Sequence, residues 1–294
     1  MLADLHCHST ASDGALTPHE LVARAHEQGV DCLALTDHDT LAGLAEARAT
    51  AETLGIQFID GVEISCLWQS ATIHVLGYAF EREAPALTAA LTQLHAGRWA
   101  RAEEIGRRLA AKGLPGCFEG ACQVQAARGD ARNPPSRPHF AEFMVQAGYV
   151  RDHQQAFQRW LGAGKLGDIR HHWPTFAECM HTLHAAGAGI SLAHLCHYTT
   201  FSRGRKRQLV RDFATAGGHA LEVSNGPQDD VQVGALATFA REFQLLASAG
   251  SDFHGPRPWS EVGRYRALPA DLSSLEQVLR SGIRPPLPPT LEAV

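Results

Sequence analysis

The 294-residue sequence is short of several things, and each shortage removes a class of protein. No stretch is long and apolar enough to read as a membrane span, so no integral membrane helix is expected. Residues 1–15 lack the basic start and apolar run of a secretory signal, and the seven cysteines are scattered with no Cys-x-x-Cys pair. Both features point to a reducing cytoplasm, where thiols serve as small buried side chains rather than as a disulfide frame or zinc ligands. Net positive charge is missing too. At −5 there is no broad basic surface for coating nucleic acid, so an anionic substrate must be met by a local basic pocket. Internal repeats are absent. The one biased stretch is Pro285-Pro286-Leu287-Pro288-Pro289, read as an extended terminus.

Histidine, in contrast, is plentiful at 17, and its placement matters more than its number. Leu2–Leu5 reads as a first buried strand running into His6-Cys7-His8. Residues two apart on a strand share a face, so His6 and His8 project together while Cys7 points away. Ser12-Asp13-Gly14 then adds a carboxylate on the next turn. Thr17-Pro18-His19-Glu20 is a helix start, with Thr17 as N-cap and Glu20 as its reciprocal partner, and Gly29 ends that helix. Cys32–Thr36 is a second strand delivering Asp37-His38-Asp39-Thr40, of which Asp39 or Thr40 would cap an Ala-rich helix ending near Gly55. Gln57–Asp60 leads into Gly61-Val62-Glu63, and Ala71–Phe80 is a fourth strand carrying His74. Alternation of strand and helix predicts a parallel α/β architecture.

A long helical stretch over residues 85–112 breaks the rhythm, and Gly, Pro and short helical patterns follow to residue 165. Residues 95–165 are therefore read as a mainly helical insertion between barrel segments 1–94 and 166–294. After it, Gly189–Ala193 ends in His194, a basic helix covers Arg203–Ala216, and His219–Val223 is a strand. Leu245–Gly250 is the last strand and delivers Ser251-Asp252-Phe253-His254.

The polar residues at or past the strand ends are His6, His8, Asp13, His38, Glu63, His74, His194, Asp252 and His254. Each alone has a plainer explanation: Asp13 as a turn former, Asp252 as a helix cap, Glu63 as surface, any one histidine as a core or capping residue. Together they are six imidazoles and three carboxylates, and strand C-termini of a parallel barrel open on one face. One divalent ion takes at most about six ligands, so the set implies two or three ions sharing bridging carboxylates. Nitrogen and oxygen donors without thiolate suit manganese, iron or zinc. Such sites acidify a bridging water and stabilise displacement at phosphorus. Asp13, Glu63 and Asp252 are the candidate catalytic carboxylates, Glu63 bridging because it lies centrally in ligand order. His197, near His194, would contact the phosphate or protonate the leaving oxygen.

His6-Cys7-His8, Thr36-Asp37-His38-Asp39, Gly61-Val62-Glu63, His74, Leu192-Ala193-His194 and Gly250-Ser251-Asp252-Phe253-His254 resemble the PHP (polymerase and histidinol phosphatase) family of metal-dependent phosphoesterases. The resemblance covers roughly residues 1–90 and 166–275. It implies an α/β fold, a distorted (β/α)7 TIM-like barrel with a three-metal cluster, commonly manganese, and all nine family ligand positions are filled. Ser136-Arg137-Pro138-His139 and Gly164-Lys165 resemble the inserted segment of the stand-alone branch, which includes nucleoside 3′,5′-bisphosphate phosphatases and a 5′-to-3′ exoribonuclease. After Lys165 the chain departs from its relatives, reading Leu166-Gly167-Asp168-Ile169-Arg170.

Fixed positive charge for a substrate phosphate is expected from Arg137 and Lys165, with Ser136 beside them and Arg101 and Arg159 behind. Trp99 or Phe140 could stack on a base, although at that spacing a core or lid role is the commoner one. A helical cap over the barrel mouth favours a small nucleotide, and hydrolysis of the 3′-phosphate of a nucleoside 3′,5′-bisphosphate by a metal-bridging hydroxide is the leading expectation. The alternatives are 5′-to-3′ trimming of short RNA, histidinol phosphate hydrolysis, and a non-enzymatic metal-bound PHP module. No membrane and no obligate protein partner are implied.

Overall fold

Strands and helices alternate at first: β1 (Ala3–Asp4), α1 (Pro18–Glu27), β2 (Cys32–Leu35), α2 (Leu44–Leu54) and β3 (Gln57–Trp68), followed directly by β4 (Ala71–Tyr78). A helical run comes next: α3 (Pro85–Ala110), α4 (Cys117–Arg128), α5 (Arg137–Gln146) and α6 (His153–Ala156), which continues as a π turn over Phe157–Leu161. Then come α7 (Phe176–Ala185), β5 (Gly189–Leu192), a 3-10 turn (Leu195–His197), α8 (Arg203–Thr215), β6 (Ala220–Asn225), α9 (Asp230–Glu242), β7 (Leu246–Gly250) and α10 (Leu275–Arg280). The computed structural model describes residues 2–129, 131–170, 172–283 and 285, so most of the proline-rich tail lies outside the described residues.

Local chemistry accounts for the helix starts. At α1 the Thr17 hydroxyl accepts from the Glu20 N–H while the Glu20 carboxylate accepts from the Thr17 N–H, satisfying two otherwise free donors. Thr175 and Glu178 repeat the device at α7. The expected cap of α2 is not there. Its N-cap is Gly43 with no side-chain bond, because Asp39 turns the other way to accept from the Ser65 N–H at 2.7 Å.

Seven strands lie side by side in chain order in one sheet. Pairing is parallel except for β3–β4 and β4–β5, so β4 runs against its neighbours. This departs from the all-parallel expectation for a short reason: only Gln69 and Ser70 separate β3 from β4. A two-residue link makes a hairpin and cannot carry a parallel crossover. Gln69 takes the left-handed conformation (φ 54°) that such a link needs. The barrel is nearly closed by the segment after β1 meeting β7 and the residues that follow it, where the Leu5 N–H donates to Ala249 O, the Asp252 N–H to His6 O and the His8 N–H to Phe253 O. Gly250 permits this approach, since a Cβ there would lie 2.4 Å from the His6 Cβ and 2.6 Å from its backbone nitrogen.

Apolar burial separates into a main barrel core, a second cluster in the helical segment and a third, smaller one around Leu5, Leu76 and Tyr78 of the sheet. Ala102, Ile105, Leu109, Cys117, Phe140, Met144, Leu161 and Ile169 form the second. α3 serves both, with Leu87 and Leu94 packed on the barrel and its last turns in the helical cluster. α3 therefore runs unbroken from one cluster into the other, with no linker between them. Phe140 is wholly buried in this cluster and is a core residue, not a stacking platform. Among the described residues no helix is long and apolar enough to cross a membrane.

Candidate metal centre

The nine side chains named above come from seven different chain segments and lie in one cluster. Their ligand atoms form four overlapping groups, each within 4.8 Å: His8, Asp13, His38 and His254; His6, His194 and Asp252; His6, His8 and Glu63; and His38, Glu63 and His74. Glu63 is the hub. It is fully buried, Oε2 lies 3.3, 3.2 and 3.0 Å from nitrogens of His6, His8 and His38, and Oε1 lies 2.9 and 2.8 Å from His74 and His194. Asp252 Oδ1 sits 3.4 Å from His6 and 3.3 Å from His8, and Asp13 Oδ1 sits 3.3 Å from His254.

The hairpin is what brings His74 in. It stands within β4 opposite Ser65 of β3, so its ring enters from the interior of an antiparallel strand rather than from a parallel strand's end. His194 (φ 28°) and Asp252 (φ 51°) are both left-handed, a strain that non-glycine residues accept where the surrounding structure holds them to a task.

These groups fit divalent cations. His6 Nε2, His8 Nε2, Asp13 Oδ1, His38 Nδ1 and Glu63 Oε2 are buried, face the centre of the cluster and have no hydrogen-bond partner. The Nδ1 of His74 and Nε2 of His194 approach to 3.2 Å, so two ring nitrogens converge where a shared cation or proton is required. Burial pushes the Glu63, Asp252 and Asp13 carboxyls up, but the surrounding imidazoles outweigh it and hold all three well below the usual carboxylate range. Burial lowers His8, yet Asp252 and Glu63 carry it to about 9. Three anions so surrounded attract positive charge, and protons and metal ions compete for the same lone pairs.

One further carboxylate carries no motif signal. Glu222 of β6 accepts from His6 Nδ1 at 2.8 Å, which leaves His6 Nε2 bare, and from the His194 N–H at 2.6 Å. It positions two cluster histidines from behind. A lone acid in the apolar run Ala220-Leu221-Glu222-Val223 is the only sign of it in the sequence.

A cavity of about 370 Å³ opens beside the cluster, walled by Asp13, His38, His74, His197 and His254 on the metal side. Arg98, Arg101, Arg137, Arg170 and Ser136 line it opposite. The arginines differ in what holds them. Arg98 pairs with Asp39 at 2.6 Å and Arg170 pairs with Asp168. Arg101 donates to Ile169 O at 3.0 Å and lies over the Trp173 ring at 5.3 Å, while Arg137 donates to Leu161 O at 3.2 Å. Neither is hydrogen-bonded to a carboxylate among the described residues. Burial, then the charges of Arg137 and Arg98, bring Arg101 down to about 9, and burial lowers Arg137. Two desolvated guanidinium groups thus line one cavity without a carboxylate hydrogen-bonded to either among the described residues.

His197 is half-exposed at the cavity rim, stacked on His194 (5.2 Å between centroids), with Nδ1 3.7 Å from Asp252 Oδ2. Lys165 and Arg159 are exposed and do not line the cavity; Arg159 lies against the Trp160 ring instead.

A PHP domain model matches residues 4–111. The chain is 43% identical over 261 residues to a 5′-3′ exoribonuclease of Haemophilus influenzae, covering 89% of this chain and 93% of that protein. It is 39% identical over 269 residues to a 3′,5′-nucleoside bisphosphate phosphatase of Chromobacterium violaceum, covering 90% and 92%. Among solved structures, an amidohydrolase of Chromobacterium violaceum with bound sulfate and no metal superposes with a TM-score of 0.88 at 38% identity, covering 97% and 99%.

Proposed function

This chain belongs to the PHP family of metal-dependent phosphoester hydrolases, and from that premise we propose that it removes the 3′-phosphate of nucleoside 3′,5′-bisphosphates. The observation that carries the reading is the meeting of nine cation-seeking side chains with a cavity holding two arginines that have no carboxylate hydrogen-bond partner among the described residues. A monoester phosphate on the cluster and a second phosphate on Arg101 and Arg137 would use both halves. The helical segment of residues 95–165 contributes Arg98, Arg101, Ser136 and Arg137 to the cavity and acts as a cap that encloses a small substrate.

His6, His8, Asp13, His38, Glu63, His74, His194, Asp252 and His254 would hold two or three divalent ions, with manganese the proposed metal. Bound there, the ions supply an acidified water and neutralise charge on the phosphoryl oxygens. The protein's own groups do the rest. Glu63 faces histidines on both sides of the cluster with its two oxygens, so it would help to hold more than one ion. Asp13 and Asp252 orient the attacking water. Arg101 and Arg137 fix the distal phosphate, and Ser136 lies beside them. His197, held near Asp252, hands a proton to the departing oxygen. A cytoplasmic location suits both a nucleotide substrate and the unpaired cysteines.

The second reading, exonucleolytic trimming of short RNA from the 5′ end, is favoured by the name of the Haemophilus influenzae relative. Incubating purified protein with manganese and adenosine 3′,5′-bisphosphate tests the proposal. Release of inorganic phosphate and adenosine 5′-monophosphate is expected. Release of mononucleotides from an oligonucleotide, with no attack on the bisphosphate, would overturn it in favour of the second reading.

A further inference from the structure

Two cavities, not one, meet at the metal centre. The second, about 690 Å³, has Asn225, Ser251 and Asp252 in its inner wall. Its outer lining includes Pro256, Arg257 and Trp259, all exposed, so it opens to solvent. Asp13, Pro138, Phe157, His197 and His254 belong to the walls of both cavities, so the cluster lies in the neck between them. Arg101 and Arg137 line the first cavity and not the second. A nucleoside bisphosphate fills one side only, which leaves the other without a task in the reaction proposed above.

Displacement at phosphorus decides what that task is. The attacking and leaving oxygens stand roughly in line, on opposite sides of the phosphorus. With the 5′-phosphate on Arg101 and Arg137, the nucleoside occupies the first cavity and O3′ departs toward it. The attacking water then stands on the far side, where the second cavity lies. Asp252, one of the two carboxylates assigned to that water, lines the second cavity and not the first. Asn225 beside it is wholly buried, with its Nδ2 donating to Glu222 Oε2 at 3.0 Å and its N–H to Gln228 Oε1 at 2.9 Å. The bond to Glu222 fixes which end of the amide is oxygen, and that Oδ1 is buried without a hydrogen-bond partner. A bare buried acceptor in a polar cavity wall is the kind of group that an ordered water satisfies. Farther out, Arg257 pairs with no carboxylate among the described residues, whereas Arg128 on the same wall is neutralised by Glu142.

We propose, resting on the phosphatase reading given above, that the second cavity is a separate door for water and inorganic phosphate. Water enters through it, and phosphate leaves past Arg257 while the nucleoside 5′-monophosphate still fills the first cavity. In the step itself a water oxygen bonds to phosphorus and the P–O3′ bond breaks, its electron pair going to O3′. O3′ takes one proton; the other stays on the oxygen that water supplied, now part of hydrogen phosphate. Phosphorus moves toward the incoming oxygen as the old bond breaks, so the new phosphate is formed on the side of the second cavity. A single door would give the opposite order. Phosphate held at the cluster would lie behind the nucleotide and leave last.

The test times the escape of phosphate. Manganese-loaded enzyme carrying radiolabelled inorganic phosphate is chased with excess unlabelled phosphate, with and without saturating adenosine 5′-monophosphate. Equilibrium dialysis checks that both products are held at once. The expected dissociation rate with the nucleotide present is within about twofold of the rate without it. Arg257→Glu is expected to weaken phosphate binding about tenfold and to leave KM for adenosine 3′,5′-bisphosphate within about twofold of wild type. Escape slowed about tenfold or more by the nucleotide would show one shared door and overturn the proposal. So would displacement of phosphate by the nucleotide, or an Arg257→Glu variant that binds phosphate as wild type does or loses affinity for both ligands equally. A wild-type enzyme that releases no phosphate from the bisphosphate would instead remove the phosphatase reading on which this one stands.

Discussion

Glu63→Gln is expected to lower kcat on the order of a thousandfold and to reduce the number of ions bound. Glutamine keeps the shape of the side chain, so β3 and its hairpin should stay folded and the far-ultraviolet circular dichroism should not change. What the change removes is one negative charge from a fully buried position facing nitrogens of five histidines. One carboxylate oxygen becomes an NH2 that meets imidazole nitrogens, and cations lose the group that links the two sides of the cluster. Activity and metal content together are the readout. A variant that retains both would show that Glu63 is buried for some other purpose.

Arg101→Met should raise KM for the bisphosphate ten- to a hundredfold with kcat within a few-fold of wild type, the scale of one charge-assisted hydrogen bond to phosphate. Methionine keeps most of the apolar stem, so what is lost is the guanidinium with its contacts to the Trp173 ring and the Ile169 carbonyl. Arg98 and Arg170 already have carboxylates, whereas Arg101 is buried with a carbonyl and an aromatic face as its partners. A distal phosphate held there contributes equally to ground and transition states, which is why KM and not kcat should move. Steady-state kinetics on substrates with and without the second phosphate check it. Unchanged KM would place the distal phosphate elsewhere.

The cluster was legible in the sequence because its members violate the local pattern. His6, His38, His194 and Asp252 each follow an apolar run, where a buried polar side chain needs a reason. Order along the chain also put Glu63 in the middle, and in the structure it touches the histidines on both sides. The strands were legible for a similar reason, from apolar runs bounded by turn and helix-start residues, whereas their closure into a barrel was implied by the family resemblance. Less was available where tertiary pairing decides. Asp39 follows a strand and looks like a cap, but the backbone it satisfies belongs to Ser65, far away in sequence. Glu222 has no spacing relation to the histidines it supports. The reversed direction of β4 was in principle readable from the two-residue link at Gln69-Ser70, which leaves no length for a crossover. Basic residues were the least informative. Arg101 and Arg137 line the cavity while Lys165 and Arg159 face solvent, and residue type alone does not say which way a long side chain points.

The centre and the reaction stand or fall on the cations. Metal content per chain, measured by elemental analysis on protein whose phosphate release from a nucleoside bisphosphate is followed before and after stringent chelation, tests this most directly. At least two ions per chain, loss of turnover on chelation and its return with added manganese are predicted. A chain with no bound metal that turns over at the full rate would contradict the account.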